Sequence, residues 1–166
     1  MSRKKQVLVI GDSGFFPEKN AIAYEVGKFI AQNGWVLVTG GRDGVMDAAT
    51  KGSSDAGGVS VAITPFDNLD DATPYASIVV PTGIGFARNY INVLSSDVVV
   101  VIGGGAGTLS EIAYAWQFNK PIIACSFVEG WSRELAGKSV DYRPRDPIIN
   151  ASSLEEVFYH LKKILS

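Results

Sequence analysis

Arg88 and Glu111 flank an apolar run, Val98 to Ile102, and a loop almost bare of side chains, Gly103-Gly104-Gly105-Ala106-Gly107-Thr108. Such a loop lets a ligand approach backbone N–H groups. A helix opening at Thr108 would add the positive potential of its amino end, so the stretch reads as an anion site, and specifically a phosphate site. Arg88 and Asn92 are spaced to share one face of a helix. A guanidinium there suits bidentate recognition of an oxyanion at the mouth of the site. Glu111 has two readings. Thr108-Leu109-Ser110-Glu111 has the spacing of a capping box, in which threonine and glutamate satisfy each other's backbone N–H. Alternatively the carboxylate faces the crevice, where it would orient water or stabilise a cationic transition state at a sugar C1.

Three more glycine loops follow apolar runs: Gly11-Asp12-Ser13-Gly14, Thr39-Gly40-Gly41-Arg42-Asp43-Gly44 and Thr82-Gly83-Ile84-Gly85. Hydrophobic periodicity places strands at Gln6–Ile10, Trp35–Val38, Val59–Ile63, Ile78–Val80, Val98–Ile102, Pro121–Ala124 and Ile148-Ile149. Helices are expected over Glu18–Gln32, Val45–Ala56, about Ala87 to Ser95, and Thr108–Phe118, with a last one capped by Ser152-Ser153. The alternation predicts an α/β fold, a doubly wound parallel sheet with helices on both faces, forming one domain over residues 1–166. Loops that follow parallel strands share the carboxyl edge of the sheet, where ligands bind. The candidate ligand set is therefore Ser13, Gly14, Gly40, Gly41, Arg42, Gly44, Thr82, Gly83, Gly85, Arg88, Asn92, Gly103 through Thr108, and Glu111. The segment from Ser126 to Asp146 reads equally as a lid or as a short helix plus loop.

Composition narrows the chemistry. With 46% hydrophobic and 19% charged residues and a formal charge of -2, the chain has material for a core and no basic footprint, so no nucleic-acid partner is expected. Arg3-Lys4-Lys5 reads as a solvated tail. The longest apolar runs are strand-sized and no signal-peptide pattern opens the chain, which predicts a cytoplasmic protein without a membrane. A lone Cys125 offers no internal disulfide and reads as a buried thiol. One histidine gives no zinc cluster and no Ser-His-Asp arrangement, and Asp67, Asn68, Asp70 and Asp71 lack calcium-loop spacing, so no protein-ligated metal is expected. The first loop lacks Gly-x-Gly-x-x-Gly, and Thr39-Gly40-Gly41 stands where a ribose-binding acid would end the second strand, which argues against NAD; PLP is not expected. No loop ends in Gly-Lys-Ser or Gly-Lys-Thr, which excludes a P-loop. Phe86, Tyr90, Tyr114, Trp116 and Phe118 supply aromatic area for either a subunit interface or a helix-to-sheet core.

At these residues the chain resembles the Rossmann-like family often labelled "lysine decarboxylase", which contains the LONELY GUY cytokinin-activating phosphoribohydrolases and the molybdenum-cofactor carrier proteins. The family hallmark, Pro-Gly-Gly-x-Gly-Thr-x-x-Glu, is matched by Gly103 through Glu111 except at the first position, and Thr39 through Met46 is similar to its second glycine motif. The resemblance implies that Arg88 binds substrate, that Glu111 is catalytic in a hydrolase, and that the loop glycines and Thr108 contact phosphate. A hydrolase would cleave the N-glycosidic bond of an N6-modified adenosine monophosphate. A carrier would hold the molybdenum cofactor without chemistry, and Gly34-Trp35, Thr39 through Arg42, Thr82 through Gly85 and Arg88 through Ser96 are closer to the carriers. A nucleotide-sensing module acting through a partner is a third reading, which an attached effector domain would favour. The family also implies a homo-oligomer, a dimer or tetramer, around a small phosphate-bearing molecule.

Overall fold

The computed structural model describes residues 2–166. Seven strands form one parallel sheet: β1 (Gln6–Gly11), β2 (Val36–Thr39), β3 (Val59–Thr64), β4 (Ile78–Pro81), β5 (Val98–Ile102), β6 (Ile122–Cys125) and β7 (Ile149–Ala151). Their order, β4-β3-β2-β1-β5-β6-β7, reverses direction between β1 and β5. That pair is the switch point of a doubly wound sheet, and adjacent loops part there to leave a crevice. Val98 through Ile102 are fully buried because β5 is covered on both faces, which is why it is written as an unbroken apolar run.

Alternate residues of each central strand feed two cores. Val7, Val9, Val98, Val100 and Ile102 pack under α1 (Pro17–Gln32), α2 (Val45–Asp55) and α6 (Leu154–Leu165). Leu8, Ile10, Val99 and Val101 pack on the other face, under α3 (Arg88–Leu94), α4 (Ala106–Gln117) and α5 (Trp131–Leu135). Two helix backbones touch on the first face: a Cβ on Gly27 would collide with the Ala49 carbonyl, and one on Gly52 with that of Tyr24. Among the described residues no helix is long and apolar enough to cross a membrane.

Several expectations shift. The segment from Ser126 to Asp146 contains a short helix and loop, not a free lid: the N–H groups of Trp131 and Ser132 donate to the carbonyls of Gly104 and Gly103 at 3.2 and 3.1 Å. Arg3, Lys4 and Lys5 are exposed as a solvated tail would be, but the Arg3 guanidinium pairs with Asp97 at 2.7 Å and holds the Asp97 carboxyl down at about 2. Of the two readings left open for the aromatic residues, Trp116 takes the core one, and its indole N–H donates to Asp141 Oδ1 at 2.8 Å. Helix α4 starts at Ala106, two residues before the expected Thr108, with Gly105 as its N-cap and no side-chain cap. The capping-box reading of Thr108 and Glu111 therefore falls. Thr108 is inside the first turn, and its hydroxyl donates to the Gly11 carbonyl of β1 at 3.0 Å.

Candidate functional site

The crevice over the β1/β5 switch point is a pocket of about 150 Å³. Its walls come from the end of β1 and the loop after it (Ile10, Gly11, Ser13), the loop after β2 and the start of α2 (Gly40, Arg42, Met46), the turn before α3 and its first residues (Phe86, Arg88, Asn89), and the first turns of α4 (Gly105, Ala106, Gly107, Thr108, Glu111). A cavity of about 260 Å³ lies elsewhere, where β6 and β7 begin, among Trp116, Lys120, Arg145 and Ile148. We place function at the smaller crevice because loop amides and buried charges converge there, at the edge of the sheet where the chain order reverses.

The glycine loop divides into two halves. The front half is already satisfied: Gly103 N–H donates to Ser132 Oγ and Gly104 N–H to Asp12 Oδ2, both at 2.8 Å. The back half is open. The amides of Gly105, Ala106, Gly107 and Thr108 have no acceptor among the described residues, and the helix dipole of α4 adds to their field. This gives a ready anion seat.

Arg88 is 5% exposed, and burial lowers its pKa, an effect opposed by Glu111 and reinforced by Arg42. A guanidinium titrates so far above neutrality that it stays charged. One terminal nitrogen donates to Asn89 Oδ1, the other to the Gly40 carbonyl at 3.2 Å, and Nε has no acceptor among the described residues. Gly40 lets Arg88 lie close: a Cβ there would stand 2.7 Å from Arg88 Nη2 and 2.9 Å from Met46 Sδ, so both side chains would have to move. Asn89 in turn donates to Ser110 Oγ at 3.0 Å, tying Arg88 to α4.

Glu111 faces the crevice at 7% exposure. Its Oε2 accepts a 3.1 Å bond from Asn92 Nδ2. Burial raises its pKa to about 7, with the Asn92 bond and the Arg88 charge opposing the rise. A carboxyl that exchanges its proton near neutrality is suited to acid or base work.

The predicted ligand residues thus separate by position. Ser13, Gly40, Arg42, Arg88, Gly105, Ala106, Gly107, Thr108 and Glu111 line the crevice. Asn92 stands behind Glu111 as its hydrogen-bond donor. Gly14 is outside the lining, and Gly44 packs against the backbone of Asp12 and Gly14. Gly41 is pressed against Ala62 and Thr64. Thr82, Gly83 and Gly85 bind the carbonyls of Thr64, Phe66 and Pro65, fastening the loop after β4 to the one after β3. Gly103 and Gly104 offer no free amide, as described above. Sequence reasoning missed Asn89, Phe86, Asp12 and Ser132. Asp12 had a signal, an acid between Gly11 and Gly14 directly after β1; Ser132 had none, since it arrives from a distant segment.

Comparison with known proteins agrees with this architecture. The model of the SLOG cluster4 family matches residues 4–158. The molybdenum cofactor binding protein of Rippkaea orientalis is 37% identical, with full coverage of both chains and a TM-score of 0.86. The molybdenum cofactor carrier protein of Chlamydomonas reinhardtii is 31% identical, covering 98% of this chain and 99% of that one, with a TM-score of 0.79. A cytokinin riboside 5'-monophosphate phosphoribohydrolase of Mycobacterium tuberculosis is 33% identical over 121 residues, which are 66% of this chain and 62% of that protein's length. The chain belongs to the SLOG cluster4 family and has its Rossmann-like α/β fold.

Proposed function

We propose that the chain carries a small molecule by its phosphate end and that the cargo is a phosphate-bearing pterin, the molybdenum cofactor. The observation that carries this reading is the uncapped amino end of α4, opening on the crevice beside buried Arg88. A pocket of about 150 Å³ accommodates the phosphate end. The flat ring system extends over the adjoining depression of about 430 Å³, which shares Phe86, Asn89, Ala106 and Gly107 with the crevice. The two neighbours whose names speak of binding or carrying molybdenum cofactor support the same cargo. The test is retention: purified protein mixed with released cofactor retains it through gel filtration and prolongs its lifetime. Arg88→Ala weakens retention at least tenfold, since a charge-assisted hydrogen bond contributes ~1.5–3 kcal/mol. Equal decay of the cofactor with and without protein would remove the reading.

A second reading has its own observation, the turn of Glu111 into the crevice with a pKa of about 7. In a nucleoside 5'-monophosphate phosphoribohydrolase the same amides would hold the 5'-phosphate, and ionised Glu111 would stabilise positive charge developing at the sugar C1. The similarity to the phosphoribohydrolase supports it. Incubation with AMP or an N6-substituted AMP then releases free base, and Glu111→Gln abolishes release. No base from either substrate eliminates an enzyme of this kind.

A further inference from the structure

The Asp12 carboxylate is bonded the way a phosphoryl group would be. Its Oδ2 accepts one hydrogen bond from a glycine-loop amide, Gly104 N–H, and one from an ammonium, Lys19 Nζ, each at 2.8 Å. An amide on a glycine turn together with a lysine is the donor set of many phosphate seats. Gly104, at φ +104, can aim its N–H this way because it has no Cβ. The seat is closed from several sides. A Cβ on Gly103 would run into Asp12 Oδ2, the Asp12 carbonyl accepts Val45 N–H at 3.0 Å, and Ser132 holds the neighbouring Gly103 amide. Lys19 is likewise held, 4.7 Å over the Phe16 ring. Immediately after this occupied seat come the open amides of Gly105 to Thr108.

Resting on the phosphate reading above, we propose that Asp12 is a built-in occupant of a second anion seat, and that it restricts the crevice to a single terminal phosphoryl group. A monophosphate ester uses the open half of the loop and leaves Asp12 undisturbed. A diphosphate brings its second phosphoryl group to the front half, where the amide and the ammonium are taken and a carboxylate faces it. Asp12 is thus a specificity-determining residue that works by exclusion, discriminating against pyrophosphate-linked ligands more than it attracts monophosphates.

The test measures AMP and ADP binding by titration calorimetry for the wild type, Asp12→Ala, Asp12→Asn and Lys19→Ala. The wild type binds AMP at least tenfold tighter than ADP. Asp12→Ala frees the Gly104 amide and Lys19, so ADP affinity rises at least tenfold while AMP affinity changes little. Asp12→Asn keeps an oxygen on Gly104 N–H and gives an intermediate ratio, which preserves the test if the alanine variant fails to fold. Lys19→Ala leaves the carboxylate unbalanced and widens the AMP preference. Opposite movement of the ratio in the Asp12 and Lys19 variants is a result that loosening of the loop would not give. Parallel losses for both nucleotides, or an unchanged ratio in the Asp12 variants, overturn the exclusion role and leave the phosphate reading standing. Failure of the wild type to bind AMP overturns this inference, whereas the phosphate reading itself falls only if the cofactor is not retained either.

Discussion

Glu111→Gln tests the electrostatics of the crevice without any ligand. Burial moves the Glu111 carboxyl from an ordinary 4.5 to about 7 in the folded chain. Folding therefore holds a proton that the unfolded chain has released, across the window between those two values. With more protons bound in the native state, stability falls as pH rises through that window: it is full below 4.5 and lost once the pH passes 7. At ~1.4 kcal/mol per tenfold in proton affinity, the ionised carboxylate costs about 3 kcal/mol. Glutamine has the same shape, keeps an oxygen for Asn92 Nδ2, and does not ionise. In urea denaturation the variant matches the wild type at pH 4.5 and is more stable by about 3 kcal/mol at pH 8, equivalent to roughly 6–12 °C in Tm for a chain of this size. Asp97 does not interfere, because its carboxyl, held at about 2 by Arg3 and the Gln6 N–H, stays ionised throughout this range. Stability curves that run parallel from pH 4.5 to 8 would show that Glu111 ionises without penalty. The crevice would then be wet and open, and the account of its low dielectric would be wrong.

Three other expectations bear on separate parts of the molecule. Helix propensity alone would favour Gly27→Ala by about 1 kcal/mol, but collision of the new Cβ with the Ala49 carbonyl pushes α1 off α2, so a net loss of about 2 kcal/mol is expected; a stabilised variant in thermal melts refutes the backbone contact. Burial pushes the Cys125 thiol up to about 12, so the native protein at pH 8 resists a disulfide reagent and reacts only at the rate it unfolds; prompt native labelling contradicts this. Tyr90 and Leu94 on α3 and Phe118 at the end of α4 form an exposed apolar face, with Tyr90 and Phe118 rings 5.5 Å apart. We expect that face to join copies of the chain, so light scattering gives the mass of a dimer or tetramer, reduced by Phe118→Glu; a monomeric wild type removes the expectation.

The strands were legible because a parallel sheet covered on both faces demands apolar residues at consecutive positions, as Val98 to Ile102 illustrates. Arg88 was legible as a cation beside glycine loops, and its face-sharing with Asn92 follows from helical spacing. The start of α4 was not, because Gly105, Ala106 and Gly107 carry no side chain that marks a helix entrance, and Thr108 imitates a cap. What settled Thr108 is the carbonyl of Gly11, 97 positions away. The same holds for the loop amides. The three consecutive glycines from Gly103 to Gly105 look alike in sequence, yet Ser132 and Asp12 claim two of their amides from distant points of the chain. Which donors remain for a ligand is decided by tertiary contacts, so the spacing alone could not divide the candidates into lining and supporting positions. Trp116 stayed undecided for a related reason: its periodicity suits a core or an interface equally, and the Asp141 acceptor of its indole N–H lies in a segment without periodicity.

Arg88 and Glu111 share one crevice without closing on each other. The ion pairs of the described residues join Arg3 to Asp97, Lys19 to Asp12, Lys51 to Asp55 and Arg143 to Asp141, and neither crevice charge is among them. Instead Asn89 and the Gly40 carbonyl hold the guanidinium on one side, and Asn92 holds the carboxyl on the other. For stability alone this is a poor arrangement. Two buried opposite charges gain most when directly paired, and each one kept apart bears its desolvation with little return. The burial of Glu111, which lifts its carboxyl to about 7, is the visible sign of that cost. A fold that spends two asparagines on keeping the charges separated has left room between them for a third party. Its anionic end would meet Arg88 and the open amides of α4, and its neutral or cationic portion would meet Glu111. Departures from the rules of stable packing concentrate where a protein binds or reacts. Here the departure lies at the point where strand order reverses, which is where an open α/β sheet is able to take a ligand.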